Sequence, residues 1–297
     1  MIIVTPELIN QAKLTATNVP ETDAPLWLIG HNYLVGDQVI YNHRIYESLQ
    51  HPNTGHQPDI SPLFWLDLGA TNRYRMFDAV VSNATINPFT IDVTITPGVA
   101  ITGVILFGVN AATARLIGTS AGMGTFYDRT IELDDYSAIA GWFSYFYEPV
   151  GERLTSEIAF LDIPAVGAAS YQLILDNGSA DAECGEAVFG QQMSLGLTSM
   201  GAQVGIIDYS RKEVDEFGNF IIVPRRYANK GSFDVLIDTT RNAFIKRRLA
   251  ELRTTPVVFI GDQTKTETII YGFYKDFNIV ISGPEKSECA INVEGLT

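Results

Sequence analysis

Short runs of β-branched and aromatic residues, separated by turn formers, occupy most of this chain and limit its possible folds. Residues 90–96 alternate polar and apolar side chains, and residues 99–109 form a longer, largely apolar run, with Pro97 and Gly98 as a turn signal between them. Alternation with a period of two is typical of half-buried strands. Residues 72–190 therefore predict at least six strands without a helix, packed as an antiparallel sandwich for which a jelly roll is the first choice.

Residues 191–297 continue the strand pattern with one interruption. Residues 240–253 have apolar side chains at helical spacing, start with a threonine suited to an N-cap and are followed by Pro256. The apolar residues expected to share one helical face are Phe244, Ile245, Leu249 and Leu252. This segment predicts the one helix of the chain, and the strands around it predict a second sandwich.

The length of 297 residues exceeds one typical domain and predicts internal boundaries. The predicted units are an N-terminal arm or linker over residues 1–23, a small aromatic module over 24–70, a jelly-roll-like sandwich over 71–190, and a C-terminal docking sandwich over 191–297. The predicted fold class is mainly β: a small aromatic β module followed by two antiparallel β-sandwich domains, with one helix near the C-terminus.

Charge is distributed unevenly among these units. The formal net charge is −14; residues 1–70 carry 2 basic and 7 acidic side chains, and residues 71–190 carry 5 basic and 14 acidic ones. Residues 191–297 are balanced, with 13 of each sign. Because an acidic surface repels phosphate, the composition argues against nucleic acid as a partner. The balanced C-terminal unit fits a docking role, and the acidic units fit projection away from it.

The compartment follows from the chain start and the cysteines. No run approaches the roughly 18 consecutive apolar residues of a membrane span, and the first residues lack the basic and apolar regions of a secretory signal. We therefore expect synthesis in a cytoplasm and no membrane insertion. Cys184 and Cys289 lie far apart without CxxC spacing, which predicts two buried free thiols.

The residue types that carry catalysis are sparse. All four histidines lie near the N-terminus: His31, His43, His51 and His56. Histidines at the turns of a small β module are usually solvated, and zinc ligands are normally spaced more tightly, so a metal site is disfavoured. The rest of the chain has no histidine for a general base or a catalytic triad.

Acidic pairs and a glycine-rich stretch offer the remaining candidates for chemistry. The pairs are Asp134-Asp135, Asp181 with Glu183, and Asp215-Glu216. A glycosidase needs two carboxyls across a cleft, which adjacency does not show, so solvated loop charge is the favoured interpretation. Residues 118–124 lack the Lys-Ser/Thr of a phosphate loop and predict an inter-strand loop. We predict no enzyme activity, no cofactor and no metal.

Basic side chains concentrate around the predicted helix. The candidate subunit-interface residues are Arg241, Lys246, Arg247, Arg248 and Arg253. A nucleic-acid site is expected in a net basic domain, whereas this unit is neutral. We therefore favour contact with the acidic surface of a neighbouring subunit, where complementary charge sets orientation and association rate.

Residues 24–70 are dense in aromatics and turn formers, and residues 38–49 predict a hairpin folded about Asn42 and His43. The order of residues that carries a family pattern is Trp27, Tyr33, Gly36-Asp37, Val39, Tyr41, Tyr46, Asn53, Gly55, Pro58 and Trp65. This order resembles the small chitin-binding-type carbohydrate modules appended to bacterial chitinases.

The resemblance implies that some aromatics form a platform on which sugar rings stack. The candidate carbohydrate contacts are Tyr33, Tyr41, Tyr46 and Trp65. The alternative is plain packing, because a unit of under about 50 residues needs its aromatics as a core. Ser48-Leu49-Gln50 stands where that family commonly has an exposed tryptophan pair, so the resemblance supports the module's fold more than sugar binding.

Two further segments resemble phage proteins. Residues 68–78, Leu-Gly-Ala-Thr-Asn-Arg-Tyr-Arg-Met-Phe-Asp, resemble a segment of many phage tail proteins that follows just such a module, and residues 287–296 resemble the ends of tail-associated β proteins. The resemblance implies a structural component of a phage tail tip or baseplate, located in the virion. Its expected partners are other tail subunits, copies of itself in a threefold or sixfold oligomer, and host surface glycans. A receptor-binding or polysaccharide-degrading tail protein is the alternative.

Overall fold

The computed structural model describes residues 1–133, 142, 146, 156–214 and 216–296. The predicted class is confirmed: the chain is mainly β with one helix near its C-terminus. Its strands are, in chain order, β1 (Ile2–Pro6), β2 (Leu14–Thr17), β3 (Asn32–Tyr33), β4 (Gln38–Tyr41), β5 (Arg44–Ser48), β6 (Asn53–Thr54), β7 (Trp65–Ala70), β8 (Thr85–Ile95), β9 (Gly103–Phe107), β10 (Thr113–Ser120), β11 (Gly124–Glu132), β12 (Ile158–Phe160), β13 (Ala169–Cys184), β14 (Glu186–Ser194), β15 (Leu197–Thr198), β16 (Gln203–Asp208), β17 (Arg211–Val214), β18 (Phe220–Val223), β19 (Tyr227–Asp238), β20 (Val257–Ile260), β21 (Ile269–Val280) and β22 (Lys286–Gly295). The helix near the C-terminus is α1 (Asn242–Glu251). Trp142 and Phe146 are also helical, which corrects the expectation of no helix in residues 72–190.

Two antiparallel sheets carry the main core. The large sheet has ten strands in the order β12-β9-β14-β1-β20-β21-β22-β19-β15, and β16 also pairs with β19. The second sheet has the order β11-β10-β13-β8-β2. Side chains such as Leu173 from β13 and Phe189 from β14 meet between the sheets and are fully buried. The side chains of β8 and of the first half of β13 alternate between this core and the opposite face, as the period-two pattern predicts.

The N-terminal residues differ from the expected arm or linker, and this expectation is corrected. β1 lies inside the large sheet, where Ile3 is opposite Met193 of β14 on one side and Phe259 of β20 on the other. Ile3 and Val4 are fully buried. The predicted boundary at residue 190 falls within β14, and the large sheet runs through both predicted sandwich units. The two units are therefore joined through backbone hydrogen bonds of the first strand.

The predicted helix is confirmed, with a different start and a narrower buried face. A 3-10 turn over Thr239–Arg241 precedes it, and Arg241 takes the N-cap position without a side-chain hydrogen bond, so the expected threonine cap is corrected. Ile245, Leu249 and Leu252 are buried against the large sheet. Phe244 is 42% exposed and does not share their face, because neighbouring residues differ by about 100° around a helix.

The small aromatic module is inserted into the second sheet. The chain leaves at β2 and returns at β8, and these two strands pair with each other. The predicted hairpin is confirmed: Asn42 and His43 have positive φ angles of 49° and 61° between β4 and β5, as a tight hairpin turn requires. The two chain segments that connect the module to the sandwich therefore begin next to each other.

A polar cluster ties the module to the sandwich where the chain enters and leaves it. The Glu21 carboxylate is bonded to His43 Nδ1 at 2.9 Å and accepts a hydrogen bond from Thr71 Oγ1 at 2.7 Å. Arg73 also reaches Glu21, with a nitrogen to oxygen distance of 3.3 Å. Because this carboxylate is largely buried, several donors are needed to offset the loss of its hydration.

Candidate interaction surfaces

Most of the predicted carbohydrate contacts are core residues, which corrects that assignment. Tyr33, Tyr46 and Trp65 are only 5%, 5% and 2% exposed. Tyr33 meets Trp65 edge to face at 5.1 Å between ring centroids, and the indole Nε1 of Trp65 donates to the carbonyl oxygen of His56 at 2.9 Å. A stacking platform needs an exposed ring face, so these three rings cannot provide one. These aromatic side chains form the module's own hydrophobic core, as expected for a unit this small.

Tyr41 is the predicted contact that keeps partial exposure. It lies at the end of β4 and meets Trp27 edge to face at 5.4 Å. The indole Nε1 of Trp27 is buried without a hydrogen-bond partner among the described residues. Sugar contact by Tyr41 stays a prediction.

The predicted interface cations gather on the outer side of α1. Arg241 and Arg247 lie over the ring of Phe244, with guanidinium carbons 6.0 and 5.9 Å from its centroid. Arg248 pairs with Glu251 at 2.9 Å. Such cation–ring contacts cover part of an otherwise exposed apolar side chain.

The two remaining cations point away from acidic groups. Lys246 and Arg253 are exposed and have no acidic partner within the described residues, and Arg253 donates to the carbonyl oxygen of Ala250 at 3.0 Å. The five predicted residues all lie on α1 or within two residues of its ends, and we call them together the α1 basic surface.

A projecting β hairpin is the most exposed apolar feature of the C-terminal unit. β17 and β18 pair with each other and with no other described strand, and all eight of their residues are exposed. We call residues 209–226 the hairpin arm. Paired residues share a face, so Val214 and Phe220 lie on one face, where Phe220 is 76% exposed, while Ile221 and Val223 lie on the other.

The arm continues the pairing of β16 with β19. The amide of Tyr209 donates to the carbonyl oxygen of Arg226 at 3.4 Å, and pairing resumes beyond Ser210 with a one-residue shift in register. β18 is one of the strands expected within residues 191–297, and the four side chains of its apolar run are exposed. An apolar run alone does not tell a core strand from an interface strand.

A cleft opens at the start of β16, at the opposite end of that strand from the hairpin arm. It has a volume of about 860 Å³ and lies between residues 194–204 and residues 260–268, with the chain start at its floor. The Met1 ammonium donates to the carbonyl oxygen of Gly196 at 2.6 Å; burial lowers its pKa, and the charge of Asp262 partly opposes that shift. Apolar side chains of Leu197 and Met200 rim the cleft and are exposed.

Glu186 is a buried carboxyl at the opposite face of the large sheet from the sandwich core. It is 4% exposed, and its Oε2 accepts a hydrogen bond from the amide of Ala79 at 2.9 Å. Burial, together with the nearby charge of Asp78, raises its pKa to about 8, although hydrogen bonds from Ala79 and Tyr271 oppose the shift. The carboxyl adjoins a cavity of about 220 Å³.

The other candidates for chemistry lie apart from one another. Among the described residues, no group of three or more histidine, cysteine, aspartate or glutamate side chains is arranged to hold a metal. Burial raises the pKa of both thiols, to about 11 for Cys289, which suppresses the reactive thiolate. Asp134, Asp135 and Asp215 lie outside the described residues.

The remaining sequence predictions concern loops and spans. Residues 121–123 form the turn between β10 and β11, whereas residues 118–120 and 124 belong to these strands, so the inter-strand loop is shorter than predicted. Asp181 is exposed on β13, while Glu183 is half-buried there. None of the helices in the described ranges has the length and apolar character to cross a lipid bilayer.

Comparison with protein-family models, curated proteins and solved structures finds no match to this chain.

Proposed function

We propose that this chain is a structural subunit of a phage tail tip or baseplate that acts by binding neighbouring subunits. The observation that carries the proposal is the hairpin arm, which exposes apolar side chains on both of its faces. A two-stranded ribbon without further packing is marginally stable in water. An arm of this kind gains stability when its two faces are covered by other protein.

The α1 basic surface supports the same proposal. It combines the half-exposed ring of Phe244 with several cations, and arginine and aromatic side chains are enriched at protein interfaces. Acidic residues dominate the first 190 positions of the chain. A neighbouring subunit of similar composition would present the complementary charge.

The phage assignment rests on the resemblance of residues 68–78 and 287–296 to tail proteins. The first segment leaves the module and enters the sandwich, and residues 287–294 lie in β22 within the large sheet. Both segments thus belong to the packed body of the protein, which a shared tail-protein scaffold would require. Location in the virion is part of this proposal.

The arm provides the test of subunit binding. Phe220→Ser with Ile222→Ser removes two apolar side chains from one face, and Lys212→Ser on the same face is the control. We expect the double variant to stay folded, because these side chains are exposed, and to be lost from tail particles assembled in an infected host. The control should enter particles normally. Entry of the double variant at the control's level would contradict the proposal.

Host glycan binding is the second candidate, favoured by the half-exposed Tyr41 against Trp27. Partly exposed aromatic rings can stack on the apolar face of a sugar. Tyr41→Ala should then remove saturable binding to isolated host cell-wall or lipopolysaccharide glycans, while Leu63→Ala, an exposed apolar residue of the same module, should not. Absence of saturable binding by the unmodified protein would reject this candidate.

A further inference from the structure

We propose that β16 and the hairpin arm bind a second copy of this chain about a two-fold axis. The inference rests on the proposed function, because it names the subunit that covers the arm. Three features of the molecule are left open by its own fold: one edge of the large sheet, the apolar arm that continues this edge, and the cleft at the other end of the edge strand. A single symmetric contact can satisfy all three.

The edge strand β16 is the first feature. It pairs with β19 on one side and with no described strand on the other. Edge strands are usually protected by charge, yet the only charged residue of β16 is Asp208 at its end. Val204 and Ile206 are 45% and 55% exposed. An apolar edge without protecting charge is suited to pairing with another strand.

The other edges offer β16 a poorer match. β12, at the far edge of the large sheet, is only three residues long. The second sheet has two edge strands: β11 carries Asp128, Arg129 and Glu132, and β2 is only four residues long. The strand that best matches β16 in length and character is therefore β16 of another molecule. Identical patches that contact each other form the two-fold interface common in homodimers.

The register follows from antiparallel pairing. A two-fold axis perpendicular to the sheet passes through a residue that lies opposite itself, and placing it at Gly205 sets Val204 of each copy opposite Ile206 of the other. The same register sets Asp208 opposite Ala202, so like charges do not meet. Opposed apolar pairs on one face are the units that stabilise a sheet.

The arms then cross onto the partner. In this register, β17 of each copy runs beside residues 196–199 of the other, where the exposed Leu197 rims the cleft. A strand advances ~3.4 Å per residue, so Val214 lies ~30 Å from Gly205, which carries the arm beyond the edge of its own sheet. The arm's apolar face would meet the apolar rim of the partner's cleft.

Charge supports the same arrangement. Arg225 and Arg226 of the arm form no ion pair within the described part of the chain, whereas the cleft carries the carboxylates of Asp262 and Glu267 beside Lys265 and the Met1 ammonium. Arm cations facing cleft carboxylates would orient the two copies. A different tail subunit would need to supply both the matching edge and this charge pattern, which a second copy already has.

The mass of the purified full chain in solution tests the inference. We expect light scattering to give twice the chain mass of 32.7 kDa, and Val204→Lys with Ile206→Lys to give the single-chain mass. Val99→Lys, at a partly exposed apolar position elsewhere, should remain a dimer. A monomeric, trimeric or hexameric unmodified protein, or a double variant that stays dimeric, would overturn the inference.

Cysteine pairing tests the register. A mixture of the Val204→Cys and Ile206→Cys variants should form a disulfide under mild oxidation, because opposed Cβ atoms lie ~5 Å apart. Each variant alone should cross-link poorly, and the native Cys184 and Cys289 are buried. A dimeric mixture without cross-link would reject this register.

These outcomes separate the inference from the proposed function. A monomeric chain whose Phe220→Ser, Ile222→Ser variant is still lost from tail particles would mean that a different subunit covers the arm, so only the inference fails. A dimeric chain whose arm variant enters particles normally would mean that the proposed function fails while self-association stands.

Discussion

At the scale of single residues, burial decides what a side chain does more than its type. Glu186 belongs to a class that is usually charged and exposed, yet its carboxyl is enclosed between Ala79 and Tyr271 and keeps its proton near neutral pH. Tyr46 and Trp65 fit a sugar-binding pattern by order, yet their rings are enclosed. Sequence order identifies which residues matter in a small module without telling which of them face solvent.

Glu186→Gln should flatten part of the dependence of stability on pH. The folded protein holds this proton up to about pH 8, while an unfolded glutamate loses it near the ordinary pKa of 4.5. Between these values the folded state binds more protons, so the free energy of unfolding falls as pH rises, by on the order of a few kcal/mol. Glutamine stays neutral and can still accept from Ala79.

Chemical denaturation at several pH values from about 5 to about 8.5 measures this effect, with the exposed Glu288→Gln as the control. The Glu186→Gln variant should become more stable relative to the unmodified protein as the pH rises. Parallel pH profiles for these two proteins would show that the carboxyl is not held neutral by the fold.

At the scale of elements, strands, the hairpin turn and the helix follow from local patterns. Asn42-His43 specifies its turn because both positions tolerate positive φ, and the spacing of Ile245 and Leu249 specifies α1. The hydrophobic periodicity does not predict how wide the buried face of α1 is. Phe244 is apolar and near the helical stripe, but its exposed ring lies beneath two arginines, which periodicity does not encode.

Side-chain truncation on the buried side of α1 should destabilise the protein more than truncation on its exposed side. Leu249→Ala leaves a cavity in a fully buried site and should lower the free energy of unfolding by about 2–5 kcal/mol. Phe244→Ala removes a half-exposed ring and should cost clearly less, while weakening subunit contact at the α1 basic surface. Thermal and chemical unfolding measure both costs, and equal losses would contradict the assigned faces.

At the scale of the whole molecule, β1 joins the two sandwich units that the sequence predicts to be separate. Ile3 pairs with residues near position 193 and near position 259, and hydrophobic periodicity carries no information about partners so distant along the chain. Residues 1–23 suggest an arm because their apolar residues beyond β1 are scattered, yet two of these, Ile9 and Val19, are buried in the core. Composition therefore predicts the β class correctly, but it does not predict that β1 joins the two sandwich units.

The contact between β1 and β14 should be sensitive to a single added methyl group. A Cβ built on Gly190 would lie 2.2 Å from the carbonyl oxygen of Thr5 and 2.8 Å from Cγ1 of Val4, so Gly190→Ala must displace β1. Gly167→Ala meets no atom within 4 Å and is the matched control. Overpacking of this kind typically costs about 1–3 kcal/mol.

Because β1 lies between β14 and β20, its displacement should loosen both neighbours. We expect Gly190→Ala to lower the melting temperature and to speed amide hydrogen exchange in residues 1–6 and also in β20, far from the substitution in sequence. Faster exchange in residues 1–6 alone would mean that the first strand behaves as an arm. Faster exchange on both sides, absent from the Gly167→Ala variant, would mean that the large sheet is one cooperative body held together by its first strand.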